Sequence, residues 1–186
     1  MVRSDRNNVG SGRAADQRWV RPAVWGLMLA GSLAVSGRAQ MPESLVGRPA
    51  PGFSLESVQH TRVELEQYRG KVVLLNFWAT WCGPCKVEMP RFMEWQKEYG
   101  ARGLQVIGVS IDDSAAPARA LVEKLHLNYP VVMGDAKLGE RYGGVLGVPV
   151  TFLIDRAGSV RARFDGEEHL AAEEREVREM LGLPGH

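Results

Sequence analysis

The 186-residue sequence is 45% apolar and 24% charged with a formal net charge of +1, which suits one well-buried domain with some tail and excludes a polar disordered chain. The charge is unevenly spread: residues 1–39 hold six arginines against Asp5 and Asp16, leaving 17 basic and 20 acidic side chains in the rest. A mildly acidic body without a basic, aromatic-interleaved stripe excludes nucleic acid as a partner.

In chain order, residues 23–35 form an uncharged apolar run of 13, preceded by Arg18 and Arg21 and followed by Ser36 and Gly37. That basic, apolar, small order predicts a signal peptide over 1–39, with cleavage after Ala39. Thirteen residues fall short of the roughly 20 that span a bilayer, so an N-terminal membrane anchor is an alternative only if flanking residues are drawn in. Either fate predicts an exported protein of the periplasm or cell envelope, with membrane contact confined to that anchor. Residues 40–52 carry three prolines and two glycines and read as a linker into a domain spanning 46–184.

The body opens with short alternating stretches at 53–56 and 61–65, predicted as a hairpin. The nearly unbroken apolar runs at 71–77 and 104–111 read as parallel strands covered on both faces. Between them, 82–101 places Val87, Met89, Phe92, Met93, Trp95 and Tyr99 at three and four spacings, which predicts a helix, kinked at Pro90. Helices are expected at 115–127, 137–142 and 170–181, and strands at 130–133, 148–155 and 159–164, the last two joined by a turn at 156–158. This pattern is an α/β fold: a mixed central sheet flanked by helices.

Cys82 and Cys85 are the only cysteines. A bridge over two intervening residues removes little chain entropy, so the pair is a poor staple. Structural zinc wants four ligands, and His60, His126, His169 and His186 are scattered singly, so no metal is expected. Redox chemistry fits better. Cys82 sits where a strand ends and a helix begins, so free backbone N–H groups and the positive end of the helix dipole favour its thiolate. Cys85, one turn on, is placed to resolve a mixed disulfide. Pro84 suits the first helical turn, Gly83 leaves the approach open, and Trp81 is expected to shield the pair from solvent.

The stretch Asn76-Phe77-Trp78-Ala79-Thr80-Trp81-Cys82-Gly83-Pro84-Cys85-Lys86 resembles the thioredoxin superfamily, and within it the exported TlpA/ResA-like branch, over residues 46–182. The resemblance implies a thioredoxin fold with an N-terminal β-hairpin and an insert near 112–127 beside the active site. It implies a thiol:disulfide oxidoreductase with Cys82 as nucleophile and Cys85 as resolving cysteine, working without a cofactor. It also implies a cis Pro149 that shapes the site and a Val148 whose backbone pairs with an extended substrate. Thioredoxin carries a buried aspartate where this chain has Asn76, which leaves the proton acceptor for Cys85 open. Glu88 is the candidate for proton transfer, against the alternative of a solvated helix-face glutamate. The Gly83-Pro84 dipeptide matches thioredoxin and implies a reductant, kept reduced by a membrane thiol electron donor, with protein disulfides as substrates and apocytochromes c as clients by analogy. Two other functions compete. A thiol peroxidase would use Thr80 beside Cys82, and a copper-binding module would use Met89 and Met93.

Overall fold

The computed structural model describes residues 44–166 and 168–184. The predicted signal peptide or anchor at 1–39, and the first part of the linker, lie outside the described residues.

Seven strands and four helices make up the described chain. The strands are β1 Ser54–Glu56, β2 Arg62–Glu64, β3 Val72–Trp78, β4 Leu104–Ser110, β5 Val131–Met133, β6 Val150–Ile154 and β7 Val160–Asp165. The helices are α1 Gly83–Tyr99, α2 Ala115–Leu125, α3 Ala136–Arg141 and α4 Leu170–Met180. The predicted elements are all present, with ends displaced by a residue or two where helices fray and strands meet turns. β1 and β2 form an antiparallel hairpin, and the other five strands form one mixed sheet in the order β5-β4-β3-β6-β7. β3 and β4 run parallel around α1, while β3 and β6 run antiparallel.

Every residue of β3 is buried, as its nearly unbroken apolar run requires, since α1, α2 and α4 cover one face and α3 with the hairpin the other. Val72, Leu74 and Trp78 pack with residues of α1, α2 and α4. Val73, Leu75 and Phe77 pack on the other face with Leu138 of α3, Tyr142 and the hairpin residue Val63. Fully burying each such side chain is worth roughly 1.5–3 kcal/mol. The aromatic rings of Phe77, Tyr142 and Phe152 meet at centroid distances of 5.1 to 5.9 Å, in tilted and edge-on arrangements that ring quadrupoles favour.

α1 continues through Pro90, which stands on an exposed position of the helix, so the lost hydrogen bond leaves a carbonyl on the solvent side. At the seam between α1 and α4, the Tyr99 hydroxyl donates to Glu174 at 3.0 Å and accepts from Arg178 at 3.0 Å. Arg91 adds a 3.2 Å contact to Glu174.

The N-terminal segment is fastened to both edge strands. The Gly47 N–H donates to Val160 and the Val160 N–H to Arg48, each at 2.8 Å, on the β7 side. Across the molecule, the Val58 N–H donates to Val131 of β5 at 2.7 Å, beside a bridge between Ser57 and Val132.

Candidate active site

β3 delivers the chain to the site. After Trp78 come buried Ala79, half-buried Thr80 and exposed Trp81, and α1 then starts with Cys82 as its cap. The loop is held by Asp112, at the beginning of the insert. Both carboxylate oxygens of Asp112 lie 3.1 Å from the Thr80 N–H, and the Thr80 hydroxyl donates at 2.6 Å. Ser110, the last residue of β4, donates its hydroxyl to Asp112 at 2.8 Å. The predicted insert therefore supports the active-site loop directly and then folds into α2.

Cys82 and Cys85 are joined by a disulfide, with their Cα atoms 5.4 Å apart. The Cys85 N–H donates to the Cys82 sulfur at 3.1 Å, which places that sulfur at the helix N-terminus where donors lack partners of their own. The two residues differ slightly in burial: Cys85 is fully buried, whereas Cys82 retains 5% exposure.

The Val148 carbonyl oxygen lies 3.6 Å from the Cys82 sulfur, and the Val148–Pro149 peptide is cis. Beside them, Leu146, Gly147, Val148, Pro149, Arg163 and Asp165 line an open groove of about 310 Å³. A second groove, of about 530 Å³, is lined by acidic residues including Asp112, Asp113, Asp135 and Glu140. Leu146 belongs to both linings and is 99% exposed.

Trp81 is 68% exposed and follows Thr80, which is tied inward to Asp112, while the cysteines belong to the core into which α1 packs. Glu88 departs from the solvated alternative. It is 1% exposed, one turn past Cys85, and accepts from the Asn76 side-chain amide at 3.4 Å. Burial holds the Tyr129 phenol well above its ordinary pKa, and the neighbouring Glu88 adds to the rise. Met89 is buried and Met93 packs against the same core, so both serve the apolar interior.

Three residues of the site's support were not singled out from the sequence: Asp112, Thr151 and Glu173. Signals for them exist. Thr151 interrupts the wholly buried strand β6 and is paired in register with Asn76, the polar residue of β3. Glu173 falls on the apolar stripe of α4, three residues after Leu170 and four before Val177. Burial raises its carboxyl from the usual 4.5 to about 7, against a hydrogen bond from Thr151 that lowers it.

A strand-helix-strand unit with a Cys-Gly-Pro-Cys pair at its helix start, faced by a cis proline before an antiparallel strand, defines the thioredoxin class of fold and site. The chain belongs to the AhpC/TSA family, whose model matches residues 46–163. It is 33% identical over 123 residues to the thiol-disulfide oxidoreductase ResA of Bacillus thuringiensis subsp. konkukian, covering 66% of this chain and 71% of the relative. Against ResA of Bacillus subtilis the identity is 36% over 115 residues, covering 61% and 64%. Among solved structures, a thiol:disulfide interchange protein of the thioredoxin family from Chlorobium tepidum superposes with a TM-score of 0.67 at 31% identity, over 72% of this chain and 96% of the other. The pneumococcal exposed lipoprotein thioredoxin Etrx1 from Streptococcus pneumoniae superposes with a TM-score of 0.62 at 30% identity, over 69% and 99%. The fold and family resemblance implied by the sequence agree with these relatives, and the chain is a thiol-disulfide oxidoreductase.

Proposed function

We propose that this oxidoreductase works outside the cytoplasm as a reductant of protein disulfides, with Cys82 as nucleophile and Cys85 as resolving cysteine. The observation that supports the assignment of roles is the difference between the two cysteines: the Cys82 sulfur accepts the Cys85 N–H at the helix start and the residue keeps 5% exposure, while Cys85 is fully buried. In the reduced enzyme the Cys82 thiolate attacks one sulfur of a client disulfide. The client S–S bond breaks, the leaving thiolate takes a proton, and a mixed disulfide forms. Cys85 then gives its proton to Glu88 and its thiolate attacks the Cys82 sulfur; the bond from Cys82 to the client breaks, the internal disulfide closes, and the second client sulfur leaves as a thiolate that takes a proton, completing the client dithiol. An extended client strand pairs with the backbone at Val148, held in place by Pro149.

Export rests on the basic, apolar and small-residue order of residues 1–39; in an oxidising compartment a membrane thiol donor must then return two electrons to the Cys82–Cys85 disulfide. Among the described residues no helix is long and apolar enough to cross a membrane. Disulfides within haem-attachment Cys-X-X-Cys-His segments of apocytochromes c are the client class by analogy with the branch it resembles.

The test has two parts. A Cys85→Ser variant, unable to resolve, accumulates a mixed disulfide through Cys82 on exposure to a disulfide client, whereas Cys82→Ser accumulates none; trapping through Cys85 instead would reverse the roles. The equilibrium potential of the pair in a glutathione or dithiothreitol buffer then fixes direction. A value near thioredoxin's, about −270 mV, supports a reductant, and one near the oxidant DsbA's, about −120 mV, overturns it.

The family match to AhpC/TSA gives the thiol-peroxidase reading a specific footing. Against it, the Thr80 hydroxyl is committed to Asp112 at 2.6 Å. Thiol-dependent peroxide consumption at a rate rivalling disulfide exchange would favour the peroxidase.

A further inference from the structure

Three buried polar side chains from three elements meet one turn along α1 from Cys85: Glu88 of α1, Asn76 of β3 and Thr151 of β6, none more than 3% exposed. Their meeting follows from the pleat. Asn76 alternates with Leu74 and Trp78 on the face of β3 against which α1 packs. Thr151 is the residue directly opposite Asn76 in the antiparallel pairing of β3 with β6, so its side chain emerges on that same face beside it. Polar groups set into an apolar layer are costly unless they satisfy one another.

The direction of the hydrogen bonds gives the meeting its chemical meaning. The Asn76 side-chain nitrogen lies 3.1 Å from the Thr151 hydroxyl oxygen and 3.4 Å from Glu88 Oε2, so one amide hydrogen goes to each. An amide turned the other way would set its carbonyl oxygen against the carboxylate, and would require Thr151 to donate where it now accepts. A carboxylate that receives an N–H is favoured in its ionised form, the form able to take a proton from Cys85.

The other titratable groups on the packed elements do not supply this donor. The Tyr129 phenol, ahead of β5, is raised by burial first and by the Glu88 charge second. Glu173 on α4 is raised by burial, without a contribution from Glu88. Tyr99 and Arg91 on α1 are bonded to Glu174 of α4, and Arg178 of α4 to Tyr99. Lys86 on α1 and Glu123 and Lys124 on α2 are exposed, and Arg119 of α2 donates to the Val58 carbonyl.

We propose that Thr151 is a positioning residue of the redox centre: its hydroxyl oxygen holds the Asn76 amide with a hydrogen turned to Glu88, and so keeps Glu88 ready to take the Cys85 proton. Thr151 acts through Asn76 and not on a sulfur. The assignment rests on the reading of Glu88 as the proton partner of Cys85. In that step the Cys85 S–H bond breaks, a Glu88 O–H bond forms, and the electron pair left on sulfur attacks Cys82. β6 thereby serves the site twice, since Thr151 lies two residues beyond the cis Pro149 and the Val148 carbonyl rests against Cys82.

The experiment follows the Glu88 side-chain carboxyl carbon by NMR as a function of pH in the dithiothreitol-reduced protein. Thr151→Val keeps the shape of the side chain and removes the acceptor. It is expected to raise the Glu88 midpoint by at least about half a pH unit, roughly threefold in proton affinity. Thr151→Ala, which lacks the acceptor without filling its space, carries the same expectation and serves if the valine variant does not fold. Thr151→Ser restores the hydroxyl and is expected to return the midpoint to that of the parent. A Thr151 that only packs would lose stability on substitution and leave the Glu88 midpoint in place, and that result overturns the proposal, as does a serine variant that titrates like the valine one. The reading of Glu88 is judged separately, by whether the Cys85 titration moves in Glu88→Gln.

Discussion

Asp112 grips Thr80 by both its backbone N–H and its hydroxyl, so the residue that opens the insert fixes the loop leading to Cys82. Asp112→Ala would strand the half-buried Thr80 N–H and the buried Ser110 hydroxyl together. Leaving such groups without partners costs about 1–3 kcal/mol each at most, and a total loss of about 2 kcal/mol is expected in urea unfolding of the oxidised protein. Alkylation of Cys82 in the reduced variant is expected to accelerate as the loop loosens. Unchanged stability would mean that water replaces the carboxylate without cost.

Glu173 makes stability depend on pH in an unusual direction. Its folded-state value is raised from 4.5 to about 7, so between those values the unfolded chain has released this proton while the folded chain keeps it. Folding stability therefore falls as pH rises from about 4.5 to 7 and levels off above, by an amount on the order of 3 kcal/mol from this group. Glu173→Gln, neutral in both states, is expected to flatten the decline and to exceed the parent in stability at pH 8. Urea titrations at pH 5, 6, 7 and 8 read the two curves.

Trp81 offers a large apolar surface next to Cys82 without contributing to the core. Trp81→Ala is expected to change stability by less than about 0.5 kcal/mol, as for surface substitutions generally. It is expected to raise KM for a disulfide-bonded client several-fold, with kcat less affected, the signature of a side chain used in binding. Equal kinetics with peptide and protein clients in the variant would remove this role.

Gly108 lies in the middle of β4, where an added Cβ would stand 2.8 Å from the Trp78 indole nitrogen and 3.1 Å from a Val131 methyl. Both neighbours are fully packed, so Gly108→Ala is expected to cost about 1–3 kcal/mol through overpacking. A thermal melt of the variant measures it. The packing that needs this glycine also orients Trp78, the last residue before the active-site loop.

The parts of the fold legible in the sequence are those set by periodicity and local chemistry. The run from Val72 to Trp78 announces a covered strand, and Cys82 followed by Pro84 announces the start of a helix. Partners far apart in sequence were less accessible. Asn76 and Thr151 are neighbours only because β3 pairs antiparallel with β6, and a one-residue shift in that register would put Thr151 on the other face. The burial of Glu88 follows from the rotation of α1 on the sheet, which a helix with apolar groups on several sides does not specify. The hold of Asp112 on Thr80 joins residues 32 positions apart in the chain, a pairing that local periodicity does not announce.

The segment from Gly47 to Gln59 has a consequence for how molecules of this protein meet one another. It ties Gly47 and Arg48 to the beginning of β7 and lays Ser57 and Val58 along β5, the two strands at the margins of the sheet. Beyond that cover, β7 presents Arg161, Arg163 and Asp165. Closed and charged margins of this kind discourage two copies from zipping into one continuous sheet. Two copies are thereby kept from pairing edge to edge, and cutting the chain at Val58 would be expected to raise the protein's tendency to aggregate.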